Sequence, residues 1–102
     1  MRMLSPSAQQ LTHRTPRVKL LVSEARSILL RHVLTVAYNK KILGRYFLVE
    51  EVKKQGKDFL VSGTGHGLHK EVVLSASAIV TLSKFREYEI EVGNHYAKYI
   101  LC

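Results

Sequence analysis

From residue 32 onward, β-branched and aromatic residues come in short runs separated by turn-forming clusters. HVLTVAYN (32–39) leads to ILGRYFLVEEV (42–52), then DFLVSG (58–63), HKEVVLS (69–75) and the alternating REYEIEV (86–92). Parallel neighbours need a crossover of about a dozen residues or more, and the first four runs are separated by at most five. Successive runs can therefore pair only antiparallel. Polar clusters punctuate them: Asn39-Lys40-Lys41 reads as a turn, and KKQGK (53–57) offers Gly56 for a positive φ. Gly44 sits where a strongly bent strand or a bulge would want it. Small residues in SASA (75–78) break the apolar pattern before IVTLS (79–83). In the last run Tyr88, Ile90 and Val92 oppose Glu87, Glu89 and Glu91, a half-buried strand with a carboxylate-lined outer face suited to a sheet edge. The tail, 93–102, is compatible with a final strand or a helical turn.

Ahead of the strands the period changes. Thr15-Pro16 has the form of a helix start, with Thr as N-cap and Pro at the first helical position. Val18, Leu21, Val22, Ala25, Ile28 and Leu29 then recur on one helical face. A short strand over 17–22 with a helix from Ser23 is the alternative. Residues 1–14 mix Ser, Gln, Thr, Pro and His without periodicity and read as a flexible basic arm. The expected fold is mainly β (α+β): an N-terminal amphipathic helix, then a five-stranded, strongly bent antiparallel sheet or small barrel, forming one domain over 15–102.

A chain of 102 residues supports one core and little surplus stability, so pairing with a second copy would help. One cysteine, Cys102, excludes an internal disulfide and a Cys-type structural zinc site and suits a reducing compartment. No signal-peptide pattern or membrane-length apolar run occurs, so a cytoplasmic protein without membrane contact is expected.

Sixteen Lys and Arg against eight Asp and Glu give a formal charge of +8, which favours polyanionic partners. The excess is uneven. Residues 1–19 carry four cations and no anion, and residues 40–58 carry six cations against three anions. Within the latter, Tyr38, Lys40, Lys41, Arg45 and Tyr46 cluster around the first hairpin, with Lys53, Lys54 and Lys57 in the second turn. Aromatic rings for stacking set among cations for the backbone are what a single-stranded nucleic acid requires. Lys19, Arg26 and Arg31 would assist.

SGTGHGLHK (62–70) places Gly63, Gly65 and Gly67 at alternate positions, then His69 and Lys70 beyond His66. The spacing is wrong for a dinucleotide fingerprint, no helix follows, and no Gly-Lys-Ser/Thr ending marks a P-loop. The stretch reads as a hairpin connection that needs positive φ. His66, His69 and Lys70 form a weak candidate anion site beside backbone N–H groups that glycine leaves open. As metal ligands the two histidines lack an obvious third partner beyond His32, His95 or Cys102, so neither a metal nor a cofactor is expected.

Nothing in the chain supplies an activated nucleophile: there is no G-x-S-x-G elbow, and the only cysteine is the last residue. In a regular strand Glu50 and Glu51 would point to opposite faces, while Glu87, Glu89 and Glu91 share one. A non-catalytic role is expected.

A helix followed by short, bent strands, with LTVAYNKK, DFLVSG and EVVLSASAIVTL in sequence, resembles Sm-like and SH3-like small barrels over residues 24–92. The stretch is similar to the WYL-type regulatory domains of bacteria, although Asp58, Phe59 and Leu60 stand where that signature would have its triplet. It is also similar to small bacterial Sm-like inhibitors of the termination factor Rho, which are acidic where this chain is basic. The resemblance implies a small barrel and a binding role. The sequence thus points to a basic module for RNA or single-stranded DNA. The alternatives are protein binding or self-association through a C-terminal edge strand, and a regulator that senses a small anion.

Overall fold

A computed structural model describes residues 18–38 and 41–102. The expected arm, the helix start at Thr15-Pro16 and the turn residues Asn39 and Lys40 lie outside the described residues. Among the described residues the protein is mainly β, with two helices. Six strands, β1 (Val33–Tyr38), β2 (Lys41–Gln55), β3 (Asp58–Gly65), β4 (Leu68–Leu74), β5 (Glu87–Val92) and β6 (His95–Leu101), form one antiparallel sheet in the order β4-β3-β2-β1-β6-β5.

The first four strands form a meander, as their short connections require. The five-strand expectation falls one short, because the tail is a strand: Ala97, Tyr99 and Leu101 alternate into the core while β6 bridges β5 and β1. The sheet is also open rather than closed into a barrel. Strands β4 and β5 are its two edges. Closure would require them to pair, and the chain between them is instead committed to a helix, α2 (Ala76–Phe85).

That helix replaces the expected small-residue break. Ser75 is its N-cap, its hydroxyl accepting the Ala78 N–H at 3.1 Å, and Ala78, Ile79 and Leu82 bury one stripe. Arg86 ends it in the left-handed region at φ 66°, donating its N–H to the Leu82 carbonyl at 2.9 Å. The first helix among the described residues, α1 (Val22–Leu29), follows non-helical residues 18–21 and begins close to the Ser23 alternative. Glu24 at its third position accepts the Leu21 N–H at 2.8 Å, which satisfies one of the free donors of the first turn.

Both helices cover the same face of the sheet. The core lies between: Ala25 and Leu29 of α1, the α2 stripe, and Leu34, Val36, Phe47, Val49, Val52, Phe59, Val61, Leu74 and Tyr88 from the strands. Strand β2 runs well past β1, and α1 packs beside the overhang. There the Arg26 Nε–H donates to the Val52 carbonyl at 3.1 Å, giving a partner to a backbone acceptor that no strand reaches.

Two features of β2 and β3 shape the sheet. A bulge lies between Val49 and Glu51. Across from it, a Cβ at Gly63 or Gly65 would overlap the carbonyl oxygen of Leu48 or Tyr46, so glycine alone permits this approach of the two backbones. Gly67 serves a different purpose. With His66 it forms the two-residue β3–β4 loop, both residues at positive φ (55° and 74°), as a type I′ hairpin turn demands.

Among the described residues no helix is long and apolar enough to cross a membrane.

Candidate functional site

Alternation along each strand sends side chains to a helix-covered face and an open face, and the charges divide between them. Glu87, Glu89 and Glu91 project from β5 opposite the buried Tyr88, onto the open face. Lys98 of β6 joins them there, with its Nζ 3.3 Å from Glu87 and 3.6 Å from Glu89. On β4 the Glu71 carboxylate lies 3.2 Å from His69 Nε2 on the same face.

The bulge adds two more carboxylates. A regular strand would send Glu50 and Glu51 to opposite faces, but the extra residue brings both to the open side. Glu50 accepts the Thr64 hydroxyl at 2.9 Å, and Glu51 lies 3.6 Å from the Lys53 ammonium. Val49 and Val52, three apart, are both buried on the other face as a result. Six of the eight acidic residues thus share the open face, and Lys53 and Lys98 are the lysines described there.

The helix-bearing side has the reverse balance. Arg26 stands on α1 against the end of β2. Lys54 extends over the Phe59 ring, Nζ 4.5 Å from its centroid, and Lys57 occupies the adjoining β2–β3 turn. At the end of α2, Lys84 and Arg86 flank Phe85, whose ring is 53% exposed. Lys19 and Arg31 are exposed on the segments before and after α1. The acid on α1 is Glu24, already engaged with the Leu21 N–H.

The residues expected to form one nucleic-acid patch are spread out. Lys40 and the side chains of Tyr38, Lys41 and Arg45 lie outside the described residues. The backbone pairing of Tyr38 with Lys41 puts this hairpin at one end of β2, and Lys53 is twelve residues along it, at most about 40 Å away. Tyr46, 43% exposed, stands on the open face with its ring 4.8 Å from that of His66. Lys53 shares that face, while Lys54 points to the other. Of the expected set, Lys54 lies near the end of β2 and Lys57 in the turn that follows, and Arg26 reaches the carbonyl of Val52, two residues before Lys54.

The candidate anion trio also divides. His66 packs on Tyr46, His69 faces Glu71, and Lys70 projects to the helix-bearing side with its β4 neighbours Val72 and Leu74. Among the described residues, no group of three His, Cys, Asp or Glu is placed to hold a metal ion.

Among the described residues three groups titrate away from their ordinary values, and for Tyr96 burial acts first in raising the phenol, with the hydrogen bond and charge of Glu89 adding to it. Burial pushes the Tyr88 phenol up, against a smaller opposing effect from its hydrogen bond with Ser75. For Lys98, partial desolvation works against the charge, but the hydrogen bond and charge of Glu87, the charge of Glu89 and Tyr96 together leave its pKa raised. These shifts stabilise the protonated forms that the sheet is built around.

Sequence inspection misses Lys84, Phe85 and Arg86 as a unit, because the β-branched residues of IVTLSKF mask its helical stripe. The signal for the sorting of charge is present in the strict alternation of Glu87, Glu89 and Glu91. No family model, curated protein or solved structure matches the chain.

Proposed function

We propose that the protein is a non-catalytic binding module that takes RNA or single-stranded DNA on its helix-bearing side. The observation that supports this is the division of charge. Six carboxylates lie on the open face, whereas Arg26, Lys54, Lys84 and Arg86 lie on the helix-bearing side, where a polyanion meets far less repulsion. Arg26, Lys54, Lys57, Lys84 and Arg86 would contact phosphates, and the exposed Phe85 ring, between two cations, offers a stacking surface.

Counterion release supplies the test. Anisotropy titration of a labelled single strand should give affinity that falls steeply with salt. Lys54→Gln/Lys57→Gln/Lys84→Gln should flatten the log–log salt slope by about 2, at roughly 0.7 for each phosphate no longer neutralised. Lys53→Gln/Lys98→Gln, on the open face, should leave it unchanged. No binding at micromolar protein in low salt, or equal losses in both variants, would sink the proposal.

A second reading is association with another protein or a second copy through the edge of β5. Its support is the position of β5 at the end of the sheet, where a further strand has room to add. A strictly monomeric protein in sedimentation, with no partner recovered on immobilised protein, would count against it.

A further inference from the structure

We propose that a cleft on the helix-bearing face binds a small amphiphilic anion, a short-chain monocarboxylate, with the carboxylate held by Lys70. The cleft measures about 220 Å³, and Val36, Phe47, Leu68 and Val72 line it together with His69, Lys70 and Glu71. Among the described residues none of its lining comes from α1 or α2, so neither helix covers it. Its shape follows from the curl of the sheet. In a flat sheet β1 and β4 stand roughly 14 Å apart, three strand spacings, yet Val36 and Val72 line the same hollow.

The chemistry of the walls defines the ligand. Phe47 is buried and fixed, whereas Leu68 is 63% exposed at the mouth, an apolar side chain with no core to join. Lys70 is half-buried and has no ion pair among the described residues. The adjacent carboxylate, Glu71, is turned to the open face and engaged by His69 at 3.2 Å. An ammonium group among apolar walls gains from an anion more than it would in open water, and gains nothing comparable from a neutral head group. Inorganic phosphate would satisfy Lys70 but leave the walls wet.

Size sets the chain length. At about 30 Å³ per water-sized group the cleft admits roughly seven, below the range of drug-sized sites. Hexanoate, with about eight heavy atoms, is close to that size. This site is separate from the polyanion surface, since Lys70 belongs to neither the Lys54–Lys57 group nor the end of α2.

The test compares sodium hexanoate, acetate and 1-hexanol by ¹H–¹⁵N spectroscopy of the full chain. Hexanoate should shift the amides of Val36, Phe47, Lys70 and Val72 and bind at least fivefold tighter than either control, about the worth of one half-exposed ion pair. Lys70→Met should reduce hexanoate affinity about fivefold and bring it level with hexanol. Leu68→Ser, at an exposed position, should weaken hexanoate while leaving acetate unchanged. Hexanol binding as tightly as hexanoate, amide shifts confined to other surfaces, or undiminished binding in a folded Lys70→Met variant would each overturn the proposal. The ligand comparison on the unaltered protein decides the matter even where a variant fails to fold.

Discussion

Phe59, Val61 and Val52 are sealed beneath the helices, whereas Leu48 and Tyr46, on the same pair of strands, stand in water on the opposite side of the sheet. The helix-bearing face is an interior stabilised by packing. The open face is a surface of paired and unpaired carboxylates around a few apolar side chains, 43% exposed at both Leu48 and Tyr46. The difference teaches that strand alternation sets two surfaces equally well, and that covering helices decide which becomes a core. It also separates the energetics. Large effects on folding should map to one face, and effects on charge to the other.

The sharpest way to break this comparison is a pair of truncations. Phe59→Ala should cost about 3–5 kcal/mol, because a fully buried ring is removed and a cavity left behind. Leu48→Ala, across the sheet, should stay within about 0.5 kcal/mol. Urea melts of the two variants measure both, and similar losses would show that the open face is covered in solution. A domain of this kind is stabilised by roughly 5–15 kcal/mol, so the first substitution consumes a large share of the total.

Gly63→Ala asks whether the close approach of β2 and β3 holds the curl of the sheet. The added methyl group meets the Leu48 carbonyl, and about 1–3 kcal/mol of destabilisation is expected in the same melts. A neutral outcome would mean that the two backbones separate freely.

The smallest effect concerns pH and involves both faces, through Tyr88 on one and Lys98 on the other. Each has its pKa raised in the folded state, above ordinary values of 10.0 and 10.5. The folded protein therefore holds these protons more tightly than the unfolded chain. Their contribution is full below the ordinary values and is lost as pH rises through the folded ones. Stability should be level in this respect from neutral pH to about 9 and decline above about 10. Tyr88→Phe should remove part of the decline, and Lys98→Met another part while costing well under 1 kcal/mol at neutral pH. Thermal melts across that range check the sign, and rising stability above pH 10 would contradict it.

Much of the sheet is legible in the sequence, since β1 to β5 fall where runs of β-branched and aromatic residues end in turn-forming clusters. The second helix is not. Ile79, Val80 and Thr81 have strand preferences, and the local signal for a helix is limited to Ser75 as a cap and the stripe Ala78, Ile79 and Leu82. Tertiary burial of that stripe outweighs propensity. That the sheet stays open is equally hidden, because closing a barrel depends on whether two edges meet, and α2 occupies the chain between them. The candidate site is the least legible part. Residues close in sequence, such as Lys53 and Lys54 or His69 and Lys70, separate at every step along a strand, while Arg26 reaches the Val52 carbonyl from a helix whose docking position no local pattern encodes.

The bulge in β2 also bears on what evolution or mutagenesis can change. Excising residue 50 would leave Val49 and Val52 two apart, and a regular strand would keep both on the helix-covered face with Lys53 still outward. The bulge therefore adds a carboxylate to the open face without setting the pattern of the core.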